Sequence, residues 1–459
     1  MDKENVQGLV LAPYRYRRSR HLLFTLPDGA DGRRFLRAIL PFVSHGATDL
    51  TQRPPWLCNV GLTYQGLLRL GCAPALCAAL DTNFQEGPSP LTMGDAPGSA
   101  SAGSKWWDGQ WKTGEIHLTV QIYAREPDDL AVATQIVLEH SRVAHLIELL
   151  PRRIPDHLGS RQLDGAALPR AESDTAAGAT VHFGYRDGLS QPEVAWDLEE
   201  AGKLDRAHFL LGYSKSEVSS APSSDPAAEF FRDSSYLVLR WIQQDVAAFE
   251  SFLTTAAPVL APERALAEGR EYVAAKLLGR WRDGTPLVLS PNRQDPSLRS
   301  APFGYQEADP VGSRCPFSAH IRVVNPRDQP LTPSEVFGVP RVLRRGMPYG
   351  PPWPEGQIED DGIDRGIIGV FICTSIVRQF YTLMHWISQN NFSPVFTGNR
   401  SHDQDNLFGN RRFERASSAW NVPRAEGDFV LPGLPDFIRT RGTAFFLLPS
   451  LRVLEALAH

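Results

Sequence analysis

The chain has 459 residues, 42% hydrophobic and 22% charged, with a net charge of −5. That composition gives a sizeable core, and the mild charge excludes binding to nucleic acid or an anionic membrane by charge alone. No apolar run reaches the ~18 residues that a membrane helix needs. The five cysteines, Cys58, Cys72, Cys77, Cys315 and Cys373, are odd in number and form no CxxC pair. They argue against a disulfide framework and a structural zinc. The start, MDKENVQGLVLAPYRYRRSR, has no secretory apolar segment, and none follows its paired arginines. The expected location is the cytoplasm.

Alternation marks a strand at Arg20–Pro27. Gly32–Leu40 reads as a helix, with Phe35, Leu36, Ile39 and Leu40 on one face and Pro41 to stop it. Leu57–Leu62 reads as a strand and Tyr64–Leu70 as a helix. Thr82–Gly114 is rich in Gly, Ser and Pro and reads as a long surface excursion. Its tryptophans Trp106, Trp107 and Trp111 read as a lid over the core rather than as exposed electron carriers. Strand signal returns at Ile116–Ala124, helix at Asp128–His140 and strand at His145–Leu150. The order is strand, helix, strand, strand, helix, strand, which is that of a ferredoxin-like unit.

The same order recurs downstream. Ser235–Gln243 alternates as a strand, and Asp245–Thr255 carries the stripe Val246, Phe249, Phe252, Leu253 behind an Asp245 cap. Pro258–Trp281 reads as a helical insertion, and Arg341–Gly346 lies in the second strand. Gly366–Cys373 is a buried strand, Ser375–Asn390 an aromatic-rich helix, Ala444–Leu448 a closing strand and Leu451–Ala458 a final helix. The repetition predicts an α+β chain of two tandem ferredoxin-like domains with antiparallel sheets, residues 1–213 and 227–459. The Pro- and Ser-rich Ser214–Pro226 reads as the loop near their boundary.

Chemistry concentrates in two stretches. Arg314–Gly350 sets His320 among small and apolar residues, with Arg322, Arg327, Arg344 and Arg345 after it. Neutral imidazole is the usual way to hold a haem iron, and arginine supplies fixed charge for propionates or for a developing oxyanion. A lone histidine is more often packed in a core, so the company of the arginines carries this reading. Upstream, Gly184-Tyr185-Arg186-Asp187-Gly188 brackets an acid between glycines, which suits a tight turn and close approach to a flat ligand. Cys315 offers a thiolate alternative to His320, or a small buried hydrophobe.

GYRDG at 184–188, CPFSAHIRVVNPR at 315–327 and LRRGMPYG at 343–350, in this order, resemble the dye-decolorizing (DyP-type) haem peroxidase family. Fainter matches start at Gln7, Asn59, Leu277 and Arg441, so the resemblance runs along nearly the whole chain. It implies one haem b per chain in the C-terminal domain, hydrogen peroxide as oxidant and a small aromatic reductant. By the family pattern His320 is the proximal iron ligand, and Asp405 the acid that orients it. Asp187 is the distal acid–base. By the same family pattern Arg344, two positions before the small Gly346, lines the pocket beside Asp187; neighbours on a strand face opposite ways, so only one of the pair Arg344 and Arg345 can enter it. Arg322, Arg327 and Arg345 are left for propionates, and Gly184 and Gly188 for close approach of the backbone.

One departure stands out. Ile367 matches a family leucine, but Gly369 stands where relatives carry phenylalanine, so a gap is expected next to the iron. Tyr381 and Trp386 are candidates to relay electrons to the surface, against core packing. The first function is a peroxidase acting on phenols or dyes. Alternatives are a non-enzymatic haem protein for storage, delivery or sensing, and a ligand-binding module without haem. A homo-oligomer is compatible with each.

Overall fold

The computed structural model describes residues 1–95, 106–150, 163–168, 180–197, 200–213, 225–329, 339–354, 356–357, 359–388, 404–411, 418–424 and 427–459. The N-terminal half runs β1 (Arg18–Thr25), α1 (Gly29–Ile39), β2 (Trp56–Leu62), β3 (Leu118–Ala124), α2 (Pro127–Val143) and β4 (Ile147–Leu149), followed by β5 (Leu163–Ala166). The C-terminal half begins with β6 (Ser235–Gln244), α3 (Val246–Leu260), α4 (Leu266–Leu278) and the short α5 (His320–Val324). It continues with β7 (Leu343–Arg344), β8 (Met347–Tyr349), β9 (Gly366–Cys373), a π-helical turn (Ile376–Tyr381), α6 (Thr382–Ser388), β10 (Ile438–Leu448) and α7 (Leu451–Ala458).

Ten strands form one antiparallel sheet in the order β8-β9-β6-β10-β2-β3-β1-β4, with β5 also on β1 and β7 also on β9. The halves have the same internal order, and they meet where Leu447 of β10 pairs with Leu62 of β2. Asp245 caps α3 as expected, accepting the Ala248 N–H at 2.8 Å. β10 begins earlier than its sequence shows, because a register shift between Thr440 and Gly442 breaks the alternation. At that point Trp107 packs on Gly442, where any Cβ would collide with its ring. Trp106 and Trp107 are buried, and Trp111 stacks on Trp107 at 4.6 Å, as a lid would. Among the described residues no helix is long and apolar enough to cross a membrane.

Period-two alternation on β9 sorts its residues. Ile368, Val370 and Ile372 enter the main core. Ile367, Gly369 and Phe371 face a cavity of about 350 Å³. A second aromatic core, with Phe183, Phe249, Phe252 and Phe437, supports the same half. The predicted loop Ser214–Pro226 lies mostly outside the described residues, as do His402 and Asp403.

Candidate active site

His320 opens α5 on the cavity wall. Its Nδ1 lies 2.7 Å from Oδ2 of Asp405, which is fully buried. The other Asp405 oxygen accepts the backbone N–H groups of Leu407 at 2.8 Å and Phe408 at 2.9 Å. A carboxylate so committed can only accept from the ring, so Nδ1 carries the proton. Nε2 is then the unprotonated nitrogen, in the form that binds iron. The Phe408 ring lies 4.4 Å from the imidazole and fixes its tilt.

The segment that carries Asp187 is pinned by its aromatic neighbours. Phe183 stacks on Phe249 at 4.4 Å, and the Tyr185 hydroxyl donates to the Ala274 carbonyl at 2.7 Å. With these two side chains held inward, Asp187 and Gly188 fall on the cavity wall. Gly188 has φ +78°, and a Cβ added there would meet nothing within 4 Å, so its backbone is open to a flat ligand. Gly184 corrects the expectation. Its φ is +81° and it presses on the Arg282 side chain away from the cavity, so it serves the turn alone.

β7 separates the paired arginines as alternation requires. Arg344 is on the cavity wall, and its Nη2 donates to the Leu189 carbonyl at 2.6 Å. Its own backbone carbonyl accepts from Gln191 Nε2 at 3.2 Å, so strand and Asp187 segment are tied together. Arg345 points the other way, donating to the carbonyls of Leu9 at 2.9 Å and Val10 at 3.1 Å. It holds the fold, and a propionate role for it falls. Arg322 is corrected too. It is completely buried, with Nη1 2.9 Å from Asp309 and Nε 2.8 Å from Gln329 Oε1. Two residues along a helix is a turn of about 200°, so Arg322 faces away from the wall that His320 faces. Arg327 does reach the cavity, in a left-handed conformation (φ +57°) with its guanidinium 3.6 Å over Phe303.

Arg280 and Arg341 are among the wall residues that escaped the sequence reading. Burial and then the charge of Arg327 push the Arg280 guanidinium down to about 10. Burial, Arg327 and Arg344 lower Arg341 in the same direction. Crowded positive charge of this kind calls for an anion. Arg280 sits in the segment LLGRWRDGTPL, which resembles the family, but nothing in its spacing marked a role.

The expected gap at Gly369 is filled. A Cβ built there would lie 2.8 Å from Cε2 of Phe371, whose ring folds back along the same face of β9. The bulk that relatives place at this position comes from two residues further on. Cys315 is buried, its thiol pushed up to about 11 chiefly by burial, and is not on the cavity wall. Tyr381 and Trp386 are core residues rather than surface relays, with relative exposures of 7% and 4%.

No protein-family model matches the chain. A dye-decolorizing peroxidase of Mycena epipterygia is 28% identical over 502 aligned residues, covering 100% of this chain and 87% of that relative. The structure of an ancestral D-type dye-decolorizing peroxidase superposes with a TM-score of 0.82 at 24% identity, covering 99% of this chain and 98% of that one. A dye-decolorizing peroxidase in complex with 2,6-dimethoxyphenol gives 0.77 at 22% identity over 100% of both chains. At such identities the two structures speak to the fold, an α+β architecture with a large antiparallel sheet. The full-length relative and the fold together define a peroxidase, an oxidoreductase. The chain belongs to the DyP-type peroxidase family.

Membership implies a haem cofactor. The residues present fit one: an oriented imidazole on the cavity wall, arginine charge in want of anions, and an open backbone at Gly188.

Proposed function

We propose that the protein reduces hydrogen peroxide and oxidises small phenolic or dye-like donors, with one haem b in the cavity of the C-terminal half. Bound there, the haem would supply the electrons for peroxide cleavage and accept them back from the donor. His320 would hold the iron, with Asp405 fixing the imidazole and raising its basicity. Arg280, Arg327 and Arg341 are the wall cations suited to the propionates. Asp187 takes the proton from the inner oxygen of peroxide and returns it to the leaving oxygen. Arg344 stabilises negative charge on that leaving oxygen.

The observation that carries the reading is the convergence of His320, Asp187 and Arg344 on one cavity from three separate parts of the chain. We read the halves as tandem ferredoxin-like domains, residues 1–213 and 227–459. The shared strand orders β4-β1-β3-β2 and β10-β6-β9-β8 support that reading. The phenolic donor is supported by the 2,6-dimethoxyphenol complex of a relative. With Phe371 over Gly369, the gap that would have favoured a mere carrier is gone. The test is a haem spectrum before and after peroxide, followed by 2,6-dimethoxyphenol. A Soret change that the phenol reverses is expected; a spectrum indifferent to peroxide would refute the reading.

A further inference from the structure

Asp405 opens a tight turn that closes where the Gly409 N–H donates back to the Asp405 carbonyl at 3.0 Å. The turn is set between two helices: the Asp405 N–H donates to Ile387 of α6 at 2.9 Å, and the Asn406 N–H to Ser318, just before α5, at 3.0 Å. Oδ1 of Asp405 is committed to the N–H groups of Leu407 and Phe408, so the carboxylate turns with this backbone. The Phe408 ring that rests on the imidazole rides on the same turn. Any movement of the turn therefore displaces both contacts to His320, and the bond at 2.7 Å weakens steeply with misalignment.

Arg411 holds this turn from outside the cavity wall. Its Nη2 donates to the carbonyls of Asp405 at 3.0 Å and Asn406 at 3.3 Å, and its Nη1 to those of Gly409 at 3.3 Å and Pro435 at 3.4 Å. Asp405 and Asn406 are buried, so their carbonyls need donors from within the protein. Pro435 lies on the approach to β10, and the Arg411 backbone N–H donates to the neighbouring Asp436 at 2.6 Å. One residue thus ties the turn to the lead-in of a central strand. A planar fork of five donors can serve several carbonyls at once, which a single ammonium does less well.

Resting on the peroxidase reading above, we propose that Arg411 is a positioning residue for the proximal ligand. Through the turn at 405–409 it sets how firmly Asp405 accepts from His320, and with that the basicity of the imidazole toward iron. A looser turn gives the ring less negative character, which stabilises iron(III) less.

The test compares Arg411→Met, which keeps the stem and loses every donor, with Arg411→Lys, which keeps the charge and part of the donor set. Arg345→Leu serves as a variant destabilised away from the turn. In haem-free protein labelled with 15N-histidine, NMR reads the Nδ1–H of His320, assigned by its loss in His320→Gln. Arg411→Met should bring this proton into fast exchange with water, Arg411→Lys should be intermediate, and Arg345→Leu should lower Tm without moving the signal. In haem-loaded Arg411→Met the iron(III)/iron(II) potential should rise, in the direction that Asp405→Asn moves it. Haem affinity should fall by part of the ~10–100-fold typical of losing an outer partner of a ligand. A lowered Tm with an unchanged Nδ1–H signal and an unchanged potential would overturn the proposal, as would wild-type protein without a protected Nδ1–H. Should Arg411→Met fail to fold, Arg411→Lys decides: an intermediate signal supports the role, and a wild-type signal overturns it. Should wild-type protein take up no haem, the peroxidase reading fails, and the haem-free measurement still decides the role of Arg411.

Discussion

Replacing each of the two adjacent arginines by leucine should produce opposite defects. Arg345 is 8% exposed and donates to three carbonyls, Leu9 at 2.9 Å, Val10 at 3.1 Å and Arg344 at 3.1 Å. Arg345→Leu removes all three bonds; the Arg344 carbonyl keeps Gln191 Nε2 at 3.2 Å, so the loss falls on the Leu9 and Val10 carbonyls, at about 1–3 kcal/mol for each acceptor left buried and unpaired. Part of that is offset, because a buried charge no longer has to be desolvated. A net loss of roughly 2–5 kcal/mol is expected, with little effect on the rate with peroxide. Arg344 makes one such side-chain bond, to Leu189, and stands on the cavity wall. Arg344→Leu should cost about 1 kcal/mol of stability but slow the peroxide step by ~10²–10³. Thermal unfolding and stopped-flow Soret changes at saturating haem separate the two effects. Equal slowing by both variants, or a larger fall in Tm for Arg344→Leu, would refute the assignment.

Other outcomes follow from the same geometry. His320→Ala should fold yet lose its Soret band on gel filtration, whereas Asp405→Asn should keep haem with affinity weakened by ~10–100-fold; a normal band in the first variant removes the ligand. Gly369→Phe should destabilise the protein by collision with Phe371, while Phe371→Ala opens the cavity and raises phenol oxidation relative to bulky dyes; a neutral Gly369→Phe would show the ring contact to be wrong. Burial lowers His21 to about 3 and His182 to about 4, so below the ordinary value of 6.5 the unfolded chain takes up protons that the folded one refuses. Stability is therefore full above about pH 6.5 and falls toward pH 4, by roughly 2 kcal/mol per histidine at about pH 5; a flat Tm, or an unchanged slope in His21→Gln, would contradict this.

Much of the site was legible because ligand chemistry is local. The motifs around Asp187, His320 and Arg344 each carry their turn, helix or strand with them; the family pattern picked Arg344, and alternation allowed only one of the arginine pair to face the pocket. What sequence could not give was side-chain direction across distance. Arg322 reads as another pocket cation until Asp309, distant by thirteen residues, is seen to claim it at 2.9 Å. Phe371 looked like any strand aromatic, and only the ring's fold back over Gly369 shows which position it fills. Arg280 and Arg341 entered through tertiary packing that no periodicity records. In the fold, β6 was clear from its alternation and β9 from its apolar run, while the polar first half of β10 was hidden by its register shift.

The placement of β10 has a kinetic side. It follows the other nine strands in the chain, yet it occupies the middle of the sheet, between β6 and β2. Ile438 and Thr440 of the same strand contribute to the cavity wall. A chain emerging in order can thus assemble the N-terminal sheet and a C-terminal one that still lacks β10, each with an exposed inner edge, but neither a joined core nor a finished pocket. Closure waits on contacts between residues hundreds of positions apart, which is a slow class of folding event. Until β10 inserts, the open edges invite aggregation, and haem has no complete wall to bind. Cofactor capture is therefore tied to the final step of assembly.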